Sequence, residues 1–501
     1  MKRFSLEQKT INIRRMDIRL SPDQGRVVLR PLGFAYSEEY VKIIRRALAL
    51  AESDVQRVLD QVLEEFSSRH RWLNKRLLAR FHYLEHLLPP GGNISEARKL
   101  LIGSYFMFEY SAESTALFNP SIVAHPDQSG LSKGSLRFLL SLRSTGEGHI
   151  STISFRSGAI DAHSGISVDP VSRFLTEPEL IENSTYDKAL FGRQVTEMGL
   201  AGEWVQRVMS RLGDVFTLKE LKNGLKEVLQ ETAPGQKIED DNTAKGLWFL
   251  AQSNYDIEFG PDQELSERII FPVTSIQSNG LEDVRLTAYR DERGSTLYYG
   301  TYTAYDGRNV LPQLFETEDF RHFKFATLNG SGVQNKGMAL FPRRINGRYA
   351  MLSRQDKENI FLMYSDNVYL WNEASLLLSS AYPWEFIKIG NCGSPIETEA
   401  GWLVLSHGVG PMRKYCFGAF LLDRDDPSKV IGRLREPLMR PEGIEREGYV
   451  PNVLYTCGAL LHGDQLILPY GISDRVTGFA LVSIDEIIAA MEDSGDTILN
   501  S

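Results

Sequence analysis

Two adjacent carboxylates and a set of scattered cations are the residues here whose types could do chemistry. Glu282 and Asp283 stand in "SNGLEDVRLTAY", residues 278–289, with Arg285 two places on. Paired acids can divide acid and base roles when their surroundings push their pKa values apart. An acidic pair after a Gly equally suits a solvated turn leading into a strand. Basic residues recur at the ends of apolar runs: Arg143 in "LLSLR", Lys336 in "NKGMALFP", Arg354 in "YAMLSR", Lys388 in "WEFIKIGN" and His407 in "VLSHGVG". Each alone is an ordinary surface charge beside a strand. Together with Tyr415 they would offer fixed positive charge and directional hydrogen bonds, the requirements of an anion such as phosphate. Asp474, in "YGISDR", suits a polar ligand or a turn.

Other patterns fit plainer roles. Gly130-Leu131-Ser132-Lys133-Gly134 matches GxSxG, but "AHPDQSGLSKGS" is turn-rich and a strand-like run follows it. A nucleophile elbow needs a strand before and a helix after, so a loop is expected. Asp423, Asp425 and Asp426 in "LLDRDDPSKVIGR" read as a turn before Pro427. The nine histidines form no HExxH or HxH pattern and the three cysteines no CxxC, so no metal site is expected. Neither a P-loop nor a GxGxxG after a strand is present.

The elements that must position these residues are mostly short β runs. From Leu117 onward "LRFLLSLR", "RIIFPVTSI", "TLYYGTYTAY", "IFLMYS", "CFGAFLLD" and "QLILPYG" follow one another, separated by Gly, Asn and Asp turns. "INGR" and "HGDQ" read as hairpin turns. The spacing fits a sandwich, barrel or propeller, with no repeat strong enough to count blades. Before this region, apolar residues recur at helical spacing from Val41 to Phe66, with Ser37 as expected N-cap. A second helix is expected from about Trp72 to Leu88 and a third from a Ser95 cap. Between about Glu177 and Asp256 the pattern is helical again, with Thr217 and Asn242 as expected caps. Ser483-x-x-Glu486 predicts a capping box on a last short helix.

Composition narrows the class. The 501 residues are 42% hydrophobic with a net charge of −9, which argues against a nucleic-acid binder driven by overall charge. A local basic pocket remains compatible with that balance. The start of the chain has no signal-type apolar core, and no run of roughly 18 apolar residues occurs, so no membrane span is expected. Sparse cysteines fit a reducing, cytoplasmic setting.

The motifs also resemble a known family as an ordered set. "RLSPDQGRVVLRP", "FNPSI", "GLEDVRL", "NKGMALFPRRINGRYAMLSR", the long stretch from "WEFIKIGN" through "VIGR", and "GYVPNVLYTCGALL" through "LPYGISD" resemble glycoside hydrolase family 130, the β-mannoside phosphorylases and related β-mannosidases. The resemblance covers the N-terminal strand and most of the chain from Leu117. It leaves out the helical region after Phe34 and the segment around Glu177–Asp256. It implies an all-β fold, a five-bladed β-propeller, here with an N-terminal helical extension and a helical insertion. Residues 1–36 would contribute a strand, 37–116 the extension, and 117–501 the catalytic propeller with its insertion at about 177–256. It further implies an inverting reaction whose acid is Asp283. Val284 stands where the family's motif usually has Pro. The proton would pass from Asp283 through the mannose 3-hydroxyl to the glycosidic oxygen while phosphate attacks the anomeric carbon, giving α-mannose 1-phosphate. Phosphate binding falls on Arg354, Lys388, His407 and Tyr415; sugar contacts fall on Asn119, Arg143, Lys336 and Asp474. Glu282 becomes a supporting neighbour, and Arg285 is expected to orient the carboxylate.

An anionic nucleophile needs fixed cations, whereas a hydrolase needs a second carboxylate to activate water. The retained basic set favours phosphorolysis of a β-mannoside, with phosphate as co-substrate and no cofactor. The alternatives are an inverting β-mannosidase and a carbohydrate-binding propeller without turnover. A homo-oligomer is expected, with no nucleic-acid or membrane partner.

Overall fold

A computed structural model describes residues 11–91, 93–181, 185–197, 199–231 and 237–493. The architecture is mostly β. Aromatic and β-branched runs such as Thr296–Tyr305 (TLYYGTYTAY) are buried almost end to end, because both faces of the strand lie against neighbours.

Five groups of antiparallel strands follow one another along the chain. The first is Ala116–Ala124, Leu136–Thr145, Ser151–Ile160 and Ile166–Val168. The second is Gly280–Arg290, Thr296–Tyr305, Val310–Thr317 and His322–Thr327. A single parallel pairing, Gly280 with Ser151, joins these two into one sheet. The third runs Lys336–Leu340, Tyr349–Arg354, Ile360–Ser365 and Ala374–Leu378. The fourth holds Lys388–Asn391, Gly401–Val409, Tyr415–Leu422 and Val430–Arg433. The fifth holds Leu454–Tyr455, Gln465–Ile472 and Val476–Ser483, and its outer strand is Ile13–Leu20 from the other end of the chain.

Apolar clusters lie between successive groups. Phe155 and Leu139 pack with Phe315 and Phe323; Tyr299 and Leu314 with Met338 and Met351; Leu352 and Leu362 with Trp402 and Phe420. Leu405 and Phe417 then pack with Leu468 and Tyr470 of the fifth group, whose Ile467 and Phe479 meet Phe138 and Leu140 of the first. Each group therefore packs against two others, and the groups are held in fixed relation.

Helices α1 (Ser37–Leu48), α2 (Glu52–Phe66), α3 (Leu73–Leu84) and α4 (Glu96–Ser104) precede the first group. The spacing predicts one run from Val41 to Phe66, but the helix breaks at Ala49–Ala51. Buried Arg98 explains the break: its guanidinium donates to the carbonyls of Ala47, Leu48 and Leu50 at 2.6, 3.1 and 2.8 Å. Helix-end carbonyls that would otherwise be orphaned are satisfied from outside. Ser37 is the first helical residue, not the cap, which is Tyr36. Ser95 does cap α4, its Oγ accepting the Arg98 amide at 3.3 Å. The stretch read as helical to residue 116 contains a strand, Met107–Glu113, paired with Asp23–Pro31.

Helices α5 (Lys188–Glu197), α6 (Glu203–Ser210), α7 (Leu218–Glu231) and α8 (Lys237–Gln252) share a core of their own around Phe191, Val208, Leu221 and Leu247. Thr217 and Glu220 form a reciprocal cap on α7, with the Thr217 amide donating to Glu220 at 2.7 Å and the Glu220 amide to Thr217 Oγ1 at 3.3 Å. Asn242 lies inside α8 rather than at its start. Ser483 precedes the last helix, α9 (Ile484–Ala489), yet its side chain makes no cap bond; Glu486 instead accepts the Asn12 amide at 2.7 Å. The "INGR" and "HGDQ" turns close hairpins, pairing Ile345 with Arg348 and His462 with Gln465. No helix among the described residues is long and apolar enough to cross a membrane.

Candidate active site

Asp283 lies inside a buried strand, not in a solvated turn. The register of Gly280–Arg290 slips between Glu282, opposite Thr303, and Arg285, opposite Thr301. Asp283 occupies this bulge with φ of +55°, a conformation that a non-glycine residue keeps only where its surroundings impose it. A bulge re-aims the side chain, which is how a strand residue here comes to face other groups' strand ends. Asn119 repeats the device in the first group: φ is +48° and the register slips between Phe118 and Ser121. Asn119 Nδ2 donates to Asp283 Oδ1 at 2.8 Å.

Arg143 binds both acids. Its Nη1 donates to Asp283 Oδ1 at 3.3 Å and its Nη2 to Glu282 Oε1 at 2.6 Å, while Nε donates to Ser151 Oγ at 2.9 Å. Arg285 does not orient the carboxylate as expected. Its three donors go to the Cys392 carbonyl at 2.7 Å, the Asp283 carbonyl at 3.1 Å and Tyr455 Oη at 2.8 Å. It thus locks the bulged backbone, and only its charge reaches the carboxylate.

The electrostatics of Asp283 and Asp474 diverge. Burial works to raise the Asp283 carboxyl, but Arg143, Lys336, Arg285 and the Asn119 hydrogen bond together hold it below the usual range. Asp474, with φ of +53°, is pushed up to about 6 by burial and then by the charge of Asp283, against the pull of Arg143 and Arg413. Asp474 therefore shares the region of Asp283 and Arg143.

The cations gather on the adjoining side. Lys336 and Arg354 are cross-strand partners, and Lys336 Nζ lies 4.0 Å from Glu282, so the basic and acidic sets meet there. Gly390 brings the third and fourth groups into contact: a Cβ there would lie 2.6 Å from His407 Cε1 and 2.7 Å from Arg354 Cδ. Lys388 Nζ sits 5.4 Å from the centre of the Tyr415 ring, and that ring stacks on His407 at 6.1 Å and 18°. Buried His407 is held well below the usual imidazole range, first by burial and then by Arg354, Arg285, Lys388 and Lys336. The Lys336–Arg354 pairing, the close approach at Gly390 and the Lys388–Tyr415–His407 contacts bring these cations around one imidazole.

Three buried polar atoms at this place, Asn119 Oδ1, Arg354 Nε and Asn391 Oδ1, have no hydrogen-bond partner among the described residues. Such atoms mark where a polar ligand can bind. Tyr455, Gly390 and Asn391 were not singled out from the sequence, although they lie in the quoted stretches "NVLYTCGALL" and "WEFIKIGN". Their signal was weak because a Tyr within an apolar run reads as core.

The other patterns stay apart from the site. Ser132 is exposed in the loop between two strands, bonded to Ser135 Oγ at 2.7 Å. Asp423 accepts the amides of Asp425 and Asp426 at 3.0 and 2.8 Å, a turn. Among the described residues, no group of three or more His, Cys, Asp or Glu is placed to hold a metal ion.

Known proteins have related sequences. The family described as beta-1,4-mannooligosaccharide phosphorylase, glycoside hydrolase family 130, matches residues 251–493. A 1,2-beta-oligomannan phosphorylase of Thermoanaerobacter sp. (strain X514) is 34% identical over 234 residues, 44% of this chain and 75% of that protein. A beta-1,2-mannobiose phosphorylase from the same organism is 35% identical over 212 residues, 42% of this chain and 68% of that protein. The solved beta-1,2-mannobiose phosphorylase of Listeria innocua superposes with a TM-score of 0.46 at 20% identity, over 76% of this chain and 93% of that one. The chain belongs to glycoside hydrolase family 130.

Proposed function

We propose that this chain is an inverting glycoside phosphorylase that cleaves non-reducing β-mannosyl residues with inorganic phosphate to give α-mannose 1-phosphate. The observation that carries this reading is the gathering of Lys336, Arg354 and Lys388 around His407, with Lys336 Nζ 4.0 Å from Glu282, the chain neighbour of Asp283. Like charges held together in a partly dry site repel one another unless an anion joins them. A phosphate there gains charge-assisted hydrogen bonds and is screened from the carboxylates it must pass.

In the proposed step a phosphate oxygen forms a bond to the anomeric carbon as the bond to the leaving sugar breaks. The proton needed by the leaving oxygen comes from Asp283 by way of the mannose 3-hydroxyl. Asn119 and Arg143 fix the carboxylate, Asp474 contacts the sugar, and Tyr415 and His407 complete the phosphate pocket. The depressed pKa of Asp283 in the resting site bears on this role. A bound phosphate dianion offsets the field of Lys336 and its neighbours, and so raises the acid toward the protonated form it must have.

We further read the five strand groups as the blades of a five-bladed propeller, closed by Ile13–Leu20 pairing with Val476–Ser483. The cyclic order of apolar clusters and the gathering of inner strand ends at one site support that reading. Helices α1–α4 form the extension of 37–116 and helices α5–α8 the insertion at about 177–256. Three free, buried cysteines support a reducing, cytoplasmic setting.

The test is incubation with a panel of β-mannobioses and mannosyl-glucosides, with and without phosphate, scoring both sugar products. Mannose 1-phosphate is expected only with phosphate, and Asp283→Asn is expected to slow its release about 10²- to 10⁴-fold. Free mannose formed equally well without phosphate would overturn phosphorolysis in favour of hydrolysis.

A further inference from the structure

We infer that His149 and Tyr449 form an aromatic platform at the rim of the site, on which the leaving sugar stacks, so that this pair sets affinity for the acceptor. The inference rests on the phosphorylase reading above. The two rings are stacked, with centroids 5.5 Å apart and an interplanar angle of 28°. Both residues are nonetheless exposed, Tyr449 at 62%.

Each ring is tied to one flank of the catalytic region. On one side the Val450 amide donates to the Ser473 carbonyl at 3.0 Å, and Ser473 Oγ donates to the Glu445 carbonyl at 2.7 Å; Ser473 directly precedes Asp474. On the other side, His149 sits in the turn before Ser151, which accepts Arg143 Nε at 2.9 Å. Tyr110 Oη pins the same turn through the Glu147 carbonyl at 2.7 Å. The turn holds His149 at φ of +57°, so the ring's position is imposed by its anchors. The pair therefore bridges the backbone behind Asp474 and the backbone behind Arg143, the two groups that flank Asp283.

A pyranose has an apolar C–H face and a polar hydroxyl edge. The rigid aromatic face matches the first, and the His149 ring nitrogens at its margin match the second. Lys336, Arg354 and Lys388, where phosphate would bind, belong to the third and fourth strand groups, whereas the platform is tied to the first and fifth, which leaves it for the part of the substrate beyond the scissile bond.

The test is the synthetic direction, with α-mannose 1-phosphate as donor and mannose as acceptor. Tyr449→Ala and His149→Ala are expected to raise acceptor KM roughly fivefold or more, with donor KM held within about twofold and Tyr449→Phe close to wild type. Unchanged acceptor KM in both alanine variants overturns the inference. So does a parallel rise of donor and acceptor KM with a lowered melting temperature, which would mean a structural role. A second arm needs no turnover: calorimetric titration of β-mannobioses without phosphate, comparing wild type with Tyr449→Ala. A loss of affinity of similar size is expected; equal affinity, or no binding to the wild type, overturns the platform. Binding that depends on Tyr449 in an enzyme that makes no mannose 1-phosphate would sink the phosphorylase reading and leave the platform standing.

Discussion

Asp474 carries an electrostatic conflict that Asp283 is spared. Asp283 has Arg143 and Asn119 on one oxygen, whereas Asp474 faces Asp283 and Glu282 and is pushed up to about 6. The sign of the consequence follows from proton binding. Between the unfolded value of 3.8 and about 6, the folded chain holds the Asp474 proton that the unfolded chain has lost. This group's contribution to stability is therefore complete below 3.8 and is lost as pH rises through about 6. Asp283 has the opposite sign: its depressed pKa adds stability above the unfolded value and loses it as pH falls. Asp474→Asn removes the repulsion without removing the shape. It is expected to raise stability near neutral pH by about 1–3 kcal/mol, with the gain shrinking toward pH ~4, and to weaken sugar binding. Thermal melts of both proteins across that range check this; an equal gain at both ends would mean that charge is not the cause. Stability given up at a functional carboxylate is a usual trade.

At the scale of elements, the site is built from irregularities in regular strands. Asn119, Asp283, Asn335, Ser473 and Asp474 all have positive φ, and each stands in or directly beside a strand. Gly390 adds a close approach between two strand groups. Gly390→Ala would push a methyl group into His407 Cε1 and Arg354 Cδ, both on buried side chains. The expected cost is roughly 1–3 kcal/mol in urea unfolding, together with a raised KM for phosphate and little change in KM for the mannoside. An unchanged phosphate KM would mean that Gly390 does not set the Arg354–His407 contact. Some local devices were legible in the sequence: the Ser95 cap, the Thr217 cap and the two hairpin turns depend on residues a few places apart, although the caps expected at Ser37, Asn242 and Ser483 did not form. Non-local ones were not. The break after α1 is set by Arg98, about fifty residues downstream. The bulge at Asp283 comes from pairing register with another strand, which local pattern does not encode. Arg285 was misread for the same reason, since its partners Cys392 and Tyr455 are more than a hundred residues away.

Across the whole molecule a net charge of −9 coexists with a focused positive site. The convergence of Arg143, Lys336, Arg354, Lys388 and His407 was invisible to composition, which reports only the sum; it takes the first, third and fourth strand groups to bring residues so far apart in sequence together. The same arrangement predicts how the folded chain responds to anions. Crowded cations strain the unliganded site: burial and neighbouring charge hold His407 neutral, and burial lowers the pKa of Arg354. An anion that binds only the folded state stabilises it by mass action, by about 2.7 kcal/mol at a hundred times its Kd. Phosphate, and sulfate as its inert mimic, are therefore expected to raise the melting temperature at constant ionic strength, where chloride does not. Sulfate is also expected to inhibit turnover competitively against phosphate and not against the mannoside. Arg354→Ala should abolish the phosphate-dependent shift. It need not abolish folding, because it removes a buried cation whose Nε has no partner among the described residues. A shift that persists in that variant, or that chloride reproduces, would mean that phosphate acts through general screening, and the basic cluster would then lose its claim to be the phosphate site.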